Sequence, residues 1–158
     1  MLRVQIADRQ ALLQADRALL RRLARRAAPV EWSPGALSLT IVGEEEMIAL
    51  NRRFTGREGD TDVLAFGFSA EEPHPGTPTF GEVIVCASRA KREANRRRVD
   101  PLHELALYVV HGVLHLSGYD DHSTPDRARM YRREAETLQA CGVPCVRRAR
   151  CSRDQRVP

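Results

Sequence analysis

The chain has 158 residues, enough to bury a sizeable core in one domain and few for two. Its apolar fraction, 42%, is ordinary for a globular protein, and no apolar run approaches the roughly 20 residues that a membrane-spanning helix needs. The net charge is +4 and comes almost wholly from arginine, Lys91 being the only lysine. Arginine forks match phosphate well, so such a surface favours polyanions. Aromatic residues make up only 5%, which argues against base-stacking platforms of the single-strand-binding kind.

In chain order, LRVQIA at 2–7 alternates and predicts a strand. From about 13 to 28 leucines recur at helical spacing with arginines on the other face, and Pro29 stops this helix. Its arginines are read as a solvated surface that is also compatible with RNA. ALSLTIVG at 36–43 predicts a second strand. EEEMIALNRRF at 44–54 places acids first and arginines last, the order that complements a helix dipole. TGREGD at 55–60 is a loop, and DVLAFGF at 62–68 a third strand. SAEEPHPGTPTF at 69–80 carries three prolines and a glycine and predicts an exposed loop. GEVIV at 81–85 is a fourth strand, followed by a basic helix at 87–98. Pro101 opens an apolar helix, PLHELALYVVHGVLHLSG, and a last helix spans 123–142 with Ser123 or Thr124 as N-cap. The expected architecture is one α/β (α+β) domain over 1–142: about four strands in a mixed sheet packed by about five helices, with a basic, mobile tail over 143–158.

The central helix carries the chemistry. His111 and His115 lie four residues apart, just over one turn, so both imidazoles project from one face. Gly118 offers a helix stop, after which Asp120, Asp121 or His122 can return to the same point. Two imidazoles and a third donor suit a tetrahedral zinc with one position open to water, the arrangement of a hydrolytic metal site. The bland alternative is a satisfied core pair. A zinc peptidase of the HExxH kind is disfavoured, because the position after His111 is Gly112 and the general base is missing. Glycine in mid-helix costs about 1 kcal/mol, so Gly112 implies close packing or access to the metal. Glu104, two turns up the helix, reads as a structural or orienting residue. Thr61 and Asp62 either line the cleft or form a turn into the third strand. The cysteines Cys86, Cys141, Cys145 and Cys151 form no CxxC pair and read as free thiols, with Cys86 in the core. The segment MLRVQIADRQ lacks a signal-peptide hydrophobic stretch, so a cytoplasmic location is expected.

The segment HGVLHLSGYDDH resembles the signature of the YbeY-type endoribonucleases, the rRNA maturation factors. LNRRF at 50–54, TDVLAF at 61–66 and GEVIV at 81–85 followed by a basic helix agree with that family in order and spacing, over residues 2–142. The resemblance implies one zinc ion per chain and cleavage of single-stranded RNA in 16S rRNA maturation and ribosome quality control, with rRNA and the small ribosomal subunit as partners and no membrane. It places the metal on His111, His115 and a third ligand. The family reads GYDH, with its third histidine ten residues after the first; here that position is Asp121, and His122 comes one later. A one-residue loop extension is easily absorbed, so His122 is taken as the ligand, with Asp121 as alternative or as an orienting or catalytic group. The family also carries an arginine after the aromatic of the LNRRF-like segment. Here Thr55 stands there, and Arg53 and Arg57, with Arg89 behind them, are the candidates to neutralise phosphate. A second function class, a non-catalytic zinc-containing assembly factor that binds rRNA, is favoured by Thr55.

Overall fold

A computed structural model describes residues 1–68, 76 and 78–145. Four strands, β1 (Arg3–Asp8), β2 (Ala36–Val42), β3 (Val63–Gly67) and β4 (Thr79–Cys86), form one sheet in the order β1-β2-β4-β3. The first three of that order run parallel, and β3 is antiparallel to β4. Five helices cover it: α1 (Arg17–Ala27), α2 (Glu44–Thr55), α3 (Ala87–Arg97), α4 (Pro101–Leu116) and α5 (Thr124–Ala140). The mixed α/β sheet and the helix count are those the sequence predicts.

Period-2 alternation divides the helices between the faces. On β4, Val83 and Val85 join α1, α4 and α5 in the larger core, whereas Ile84 and Cys86 join Met47 of α2 in a smaller one. Helix α4 is buried on all sides, with every residue from Glu104 to Leu114 inside. It can lie close on the sheet because of Gly112: a Cβ there would stand 2.6 Å from Val83 Cγ1 and 2.9 Å from Val63 Cγ2. Close packing is therefore the use of this glycine.

Three ends are fixed by side-chain caps. Asp16, Asp100 and Ser123 accept from the backbone N–H of Leu19, Leu102 and Asp126. The first cap corrects the sequence expectation: α1 begins at Arg17, not near 13. The preceding residues are instead held by Gln10, whose Oε1 accepts from Leu12 and Leu13 N–H. Strand β4 likewise starts earlier, at Thr79, where Phe80 stacks on Trp32 with centroids 5.1 Å apart. Most of the 69–80 loop expected from sequence, and residues 146–158 of the expected tail, lie outside the described residues. Val143 is buried in the core. Among the described residues no helix is long and apolar enough to cross a membrane.

Candidate metal centre

The last two turns of α4 place His111 and His115 edge to face, with ring centroids 4.5 Å apart. Their Nε2 atoms point at each other across 2.9 Å. Around a tetrahedral zinc with Zn–N near ~2.0–2.1 Å, two nitrogens stand about 3.3 Å apart, so the pair needs to open by only a few tenths of an ångström. Helix α4 ends at Leu116, and Gly118, at φ +92°, turns the chain back. This return brings Asp121 Oδ2 to 3.9 Å from His115 Nε2. The donor atoms of His111, His115 and Asp121 all lie within 4.8 Å of one another. Two nitrogens and one carboxylate oxygen, partly screened from water, are a suitable donor set for a divalent metal.

His122 falls elsewhere. It groups with Asp120 and Asp121 in a second, more exposed cluster, its side chain 52% exposed. Asp120 Oδ1 accepts from the His122 backbone N–H at 2.9 Å, and Arg127 donates to the carbonyls of Asp121 and His122. The turn is thus tied to the first turns of α5. The structure brings Asp121, the alternative third donor, to the histidine pair; His122 shares only Asp121 with that group.

Glu134 is the functional residue that the sequence reasoning missed. Its Oε1 lies 2.5 Å from His111 Nδ1, and both side chains are almost fully buried. A carboxylate accepts, so this contact puts the proton on Nδ1 and leaves Nε2 as a lone-pair donor aimed into the cluster. The signal was present: Met130, Glu134, Thr137 and Leu138 form the buried stripe of α5, and Glu134 is its one carboxylate.

The remaining candidates are spread over the molecule. Arg53 lies over the Phe54 ring at 5.1 Å and lines a groove with Glu82 and Ile84, on the sheet face turned away from α4. Arg57 is exposed just past Gly56, and its backbone N–H reaches the Thr55 hydroxyl. That hydroxyl also lies within hydrogen-bond distance of the Asn51 carbonyl and side-chain oxygens, closing the end of α2. Arg89 pairs with Asp60 at 3.1 Å, and the neighbouring carboxylates hold its pKa above the ordinary value against the opposing effect of desolvation. Glu104 is 1% exposed and faces Arg97 at 3.6 Å, an interior ion pair between α4 and α3. Asp62 Oδ1 accepts from Val63 N–H, the turn reading of that segment. Cys86 is fully buried, and desolvation pushes its thiol pKa up.

Fold and site together define a small α/β domain whose central helix carries a buried and a half-buried histidine, met by a carboxylate from the turn that follows, a group able to hold a metal ion. Residues 4–142 match the family described as Endoribonuclease YbeY, and the chain belongs to that family. It is 39% identical over 129 residues to the Endoribonuclease YbeY of Anaeromyxobacter sp., covering 82% of this chain and 66%, just under two thirds, of that protein. It is 36% identical over 143 residues to that of Halalkalibacterium halodurans, covering 84% of this chain and 90% of the relative. The fold matches the solution structure of TM1509 from Thermotoga maritima, with a TM-score of 0.58 at 24% identity over 97% of this chain and all of that one.

Proposed function

We propose that this protein is a zinc-dependent endoribonuclease that cuts single-stranded RNA during 16S rRNA maturation and ribosome quality control, in the cytoplasm and at the small ribosomal subunit. The observation that carries the reading is the convergence of the His111 and His115 Nε2 atoms with the Asp121 carboxylate, in a chain whose relatives are named endoribonucleases. His111, His115 and Asp121 would hold the ion. Zinc held there supplies a Lewis acid for phosphodiester hydrolysis and draws the pKa of water towards neutrality. The chain's own residues do the rest. Glu134 fixes the tautomer and rotation of His111. The apolar packing of α4 holds the two rings in register, and the turn after Gly118 delivers the carboxylate.

The test is cleavage of single-stranded and duplex rRNA fragments by zinc-loaded protein, chelator-stripped protein and His115→Ala, purified side by side. Cleavage of the single strand by the zinc-loaded wild type alone is expected. Equal cleavage by all three preparations would expose a contaminant and remove the assignment. A second reading, an assembly factor that binds rRNA without cutting it, is favoured by Thr55, whose hydroxyl is engaged in closing α2 at the position where the family resemblance implies an arginine. Zinc retention and rRNA binding with no cleavage would select it.

A further inference from the structure

Helices α1, α3 and α5 are rich in arginine, and the guanidinium groups of α1 and α3 are employed differently. On α3, Arg89 and Arg92 pair with Asp60, Arg96 with Glu93, and Arg97 with Glu93 and Glu104. On α1, Arg17, Arg21, Arg22, Arg25 and Arg26 have no carboxylate within 4.0 Å among the described residues. They occupy the face opposite the buried Leu19, Leu20, Leu23, Ala24 and Ala27.

Two features make this face more than a solvated stripe. Arg21 and Arg25 are held in place: their Nε atoms donate to the carbonyls of Val4 at 3.3 Å and Leu2 at 2.9 Å, along the free edge of β1. Each fork is thereby oriented in advance, which lowers the entropy lost when it meets an anion. Arg17 stands in the first turn of α1, a cation at the positive end of the helix dipole, next to the capping carboxylate of Asp16. The face also continues onto α5. Arg133, whose Nη1 lies 3.8 Å from the Glu136 carboxylate, donates from Nη2 to the Arg26 carbonyl at 2.9 Å, and the next residue, Glu134, turns inward to His111.

We propose that the arginine face of α1, continued by Arg133, is a docking surface for the phosphate backbone of single-stranded RNA, engaging the strand away from the histidine pair. The proposal rests on the RNA-binding part of the proposed function and not on cleavage. Its chemistry is that of α1 guanidinium forks without a carboxylate partner among the described residues, two of them oriented by backbone carbonyls, against a polyanion, so the contact is insensitive to base sequence and weakens steeply with salt.

The test compares two triple variants of the full, zinc-loaded chain: Arg17→Gln/Arg22→Gln/Arg26→Gln on α1, and Lys91→Gln/Arg92→Gln/Arg96→Gln on α3. Both lose the same charge. Binding to single-stranded 2′-O-methyl RNA, which has no free 2′-hydroxyl, is followed by anisotropy over a range of salt. The α1 triple is expected to weaken binding about tenfold and to reduce the salt slope by about 2, from roughly 0.7 per lost phosphate contact. The α3 triple is expected to leave both close to wild type, with unchanged circular dichroism confirming that each variant folds. Equal losses in the two triples would reduce the effect to net charge and overturn the proposal, as would no loss in either. Loss of binding to anionic phospholipid vesicles with RNA binding intact would make the face a membrane surface and overturn it as well. A chain that binds RNA through α1 but never cuts it would sink the nuclease reading and leave this one standing.

Discussion

His111 and His115 stand on a helix whose every side is packed, while Asp120, Asp121 and His122 stand on a turn half open to water. The first pair needs no choice: helix pitch, the close seat of Gly112 on Val83 and Val63, and the Glu134 contact leave one arrangement of the rings. The turn offers three donors, and Asp121 is common to both groups that they form. Two donors are thus set by the fold and the third is selected by the path of a short loop. A metal site of this kind should be sensitive to its helical donors, less so to the residue that orients them, and least to a donor at the solvent end of the turn.

The largest expected effect is that of His115→Ala. One of the two helical donors is lost, and with it the imidazole that faces Asp121 at 3.9 Å. Metal analysis after dialysis is expected to find wild-type protein loaded and the variant nearly empty, with RNA cleavage lost in parallel. A variant that stayed loaded and active would place the metal elsewhere. Glu134→Ala should come next, lowering zinc affinity about 10- to 100-fold, the usual range for loss of an orienting carboxylate. Glu134→Gln retains an oxygen that accepts from His111 Nδ1 and should recover most of that loss. The d–d spectrum of the cobalt-substituted protein separates orientation from stability: Glu134→Ala should alter it, and Glu134→Gln should restore it. Equal spectra in all three would leave Glu134 a packing residue only.

Gly112→Ala tests the seat under the histidines. The added methyl would meet Val83 and Val63 at 2.6 and 2.9 Å. Overpacking of this kind costs about 1–3 kcal/mol, against about 1 kcal/mol gained in helix propensity. A net destabilisation by urea unfolding is expected, with weaker metal retention as α4 lifts from the sheet. A stabilised variant would show that the sheet yields freely under this helix.

The fold is legible in the sequence where periodicity and punctuation agree. β2 and α4 fall where LSLTIV and the Pro101-to-Gly118 run place them, and Gly112 stands out in sequence as the glycine needing a packing reason. The misses have specific causes. The leucine pattern puts the start of α1 too early because LLQ continues it, whereas Asp16 caps only the residues after it. Glu134 lies 23 residues from His111 in sequence, and no local pattern reports that α5 folds back onto α4. The side on which Arg53 falls depends on which face of the sheet α2 covers, and that is a tertiary fact. Charge counts could not separate the arginines of α1 from those of α3, because pairing depends on where Asp60, Glu93 and Glu104 end up.

The finest distinction is between Asp121 and His122. The family resemblance read from the sequence implies His122 as third donor, since a loop one residue longer is readily absorbed. The path of the turn changes the weighting: Arg127 holds the Asp121 and His122 carbonyls together, Asp120 holds the His122 N–H, and the His122 ring is left largely in solvent while Asp121 faces His115. Asp121→Asn keeps the shape and one oxygen but removes the charge. It is expected to lower zinc affinity about tenfold, since the donor oxygen is kept and only its charge is lost, an effect comparable to the lower end of that for an orienting partner. His122→Ala removes a half-exposed ring and should change affinity by less than about threefold, within the small effects typical of surface substitutions. Competition titration with a chromogenic chelator measures both. The reverse order would mean that metal binding swings the turn by one residue, bringing His122 in and Asp121 out, so that the loop rather than α4 sets the final geometry of the site.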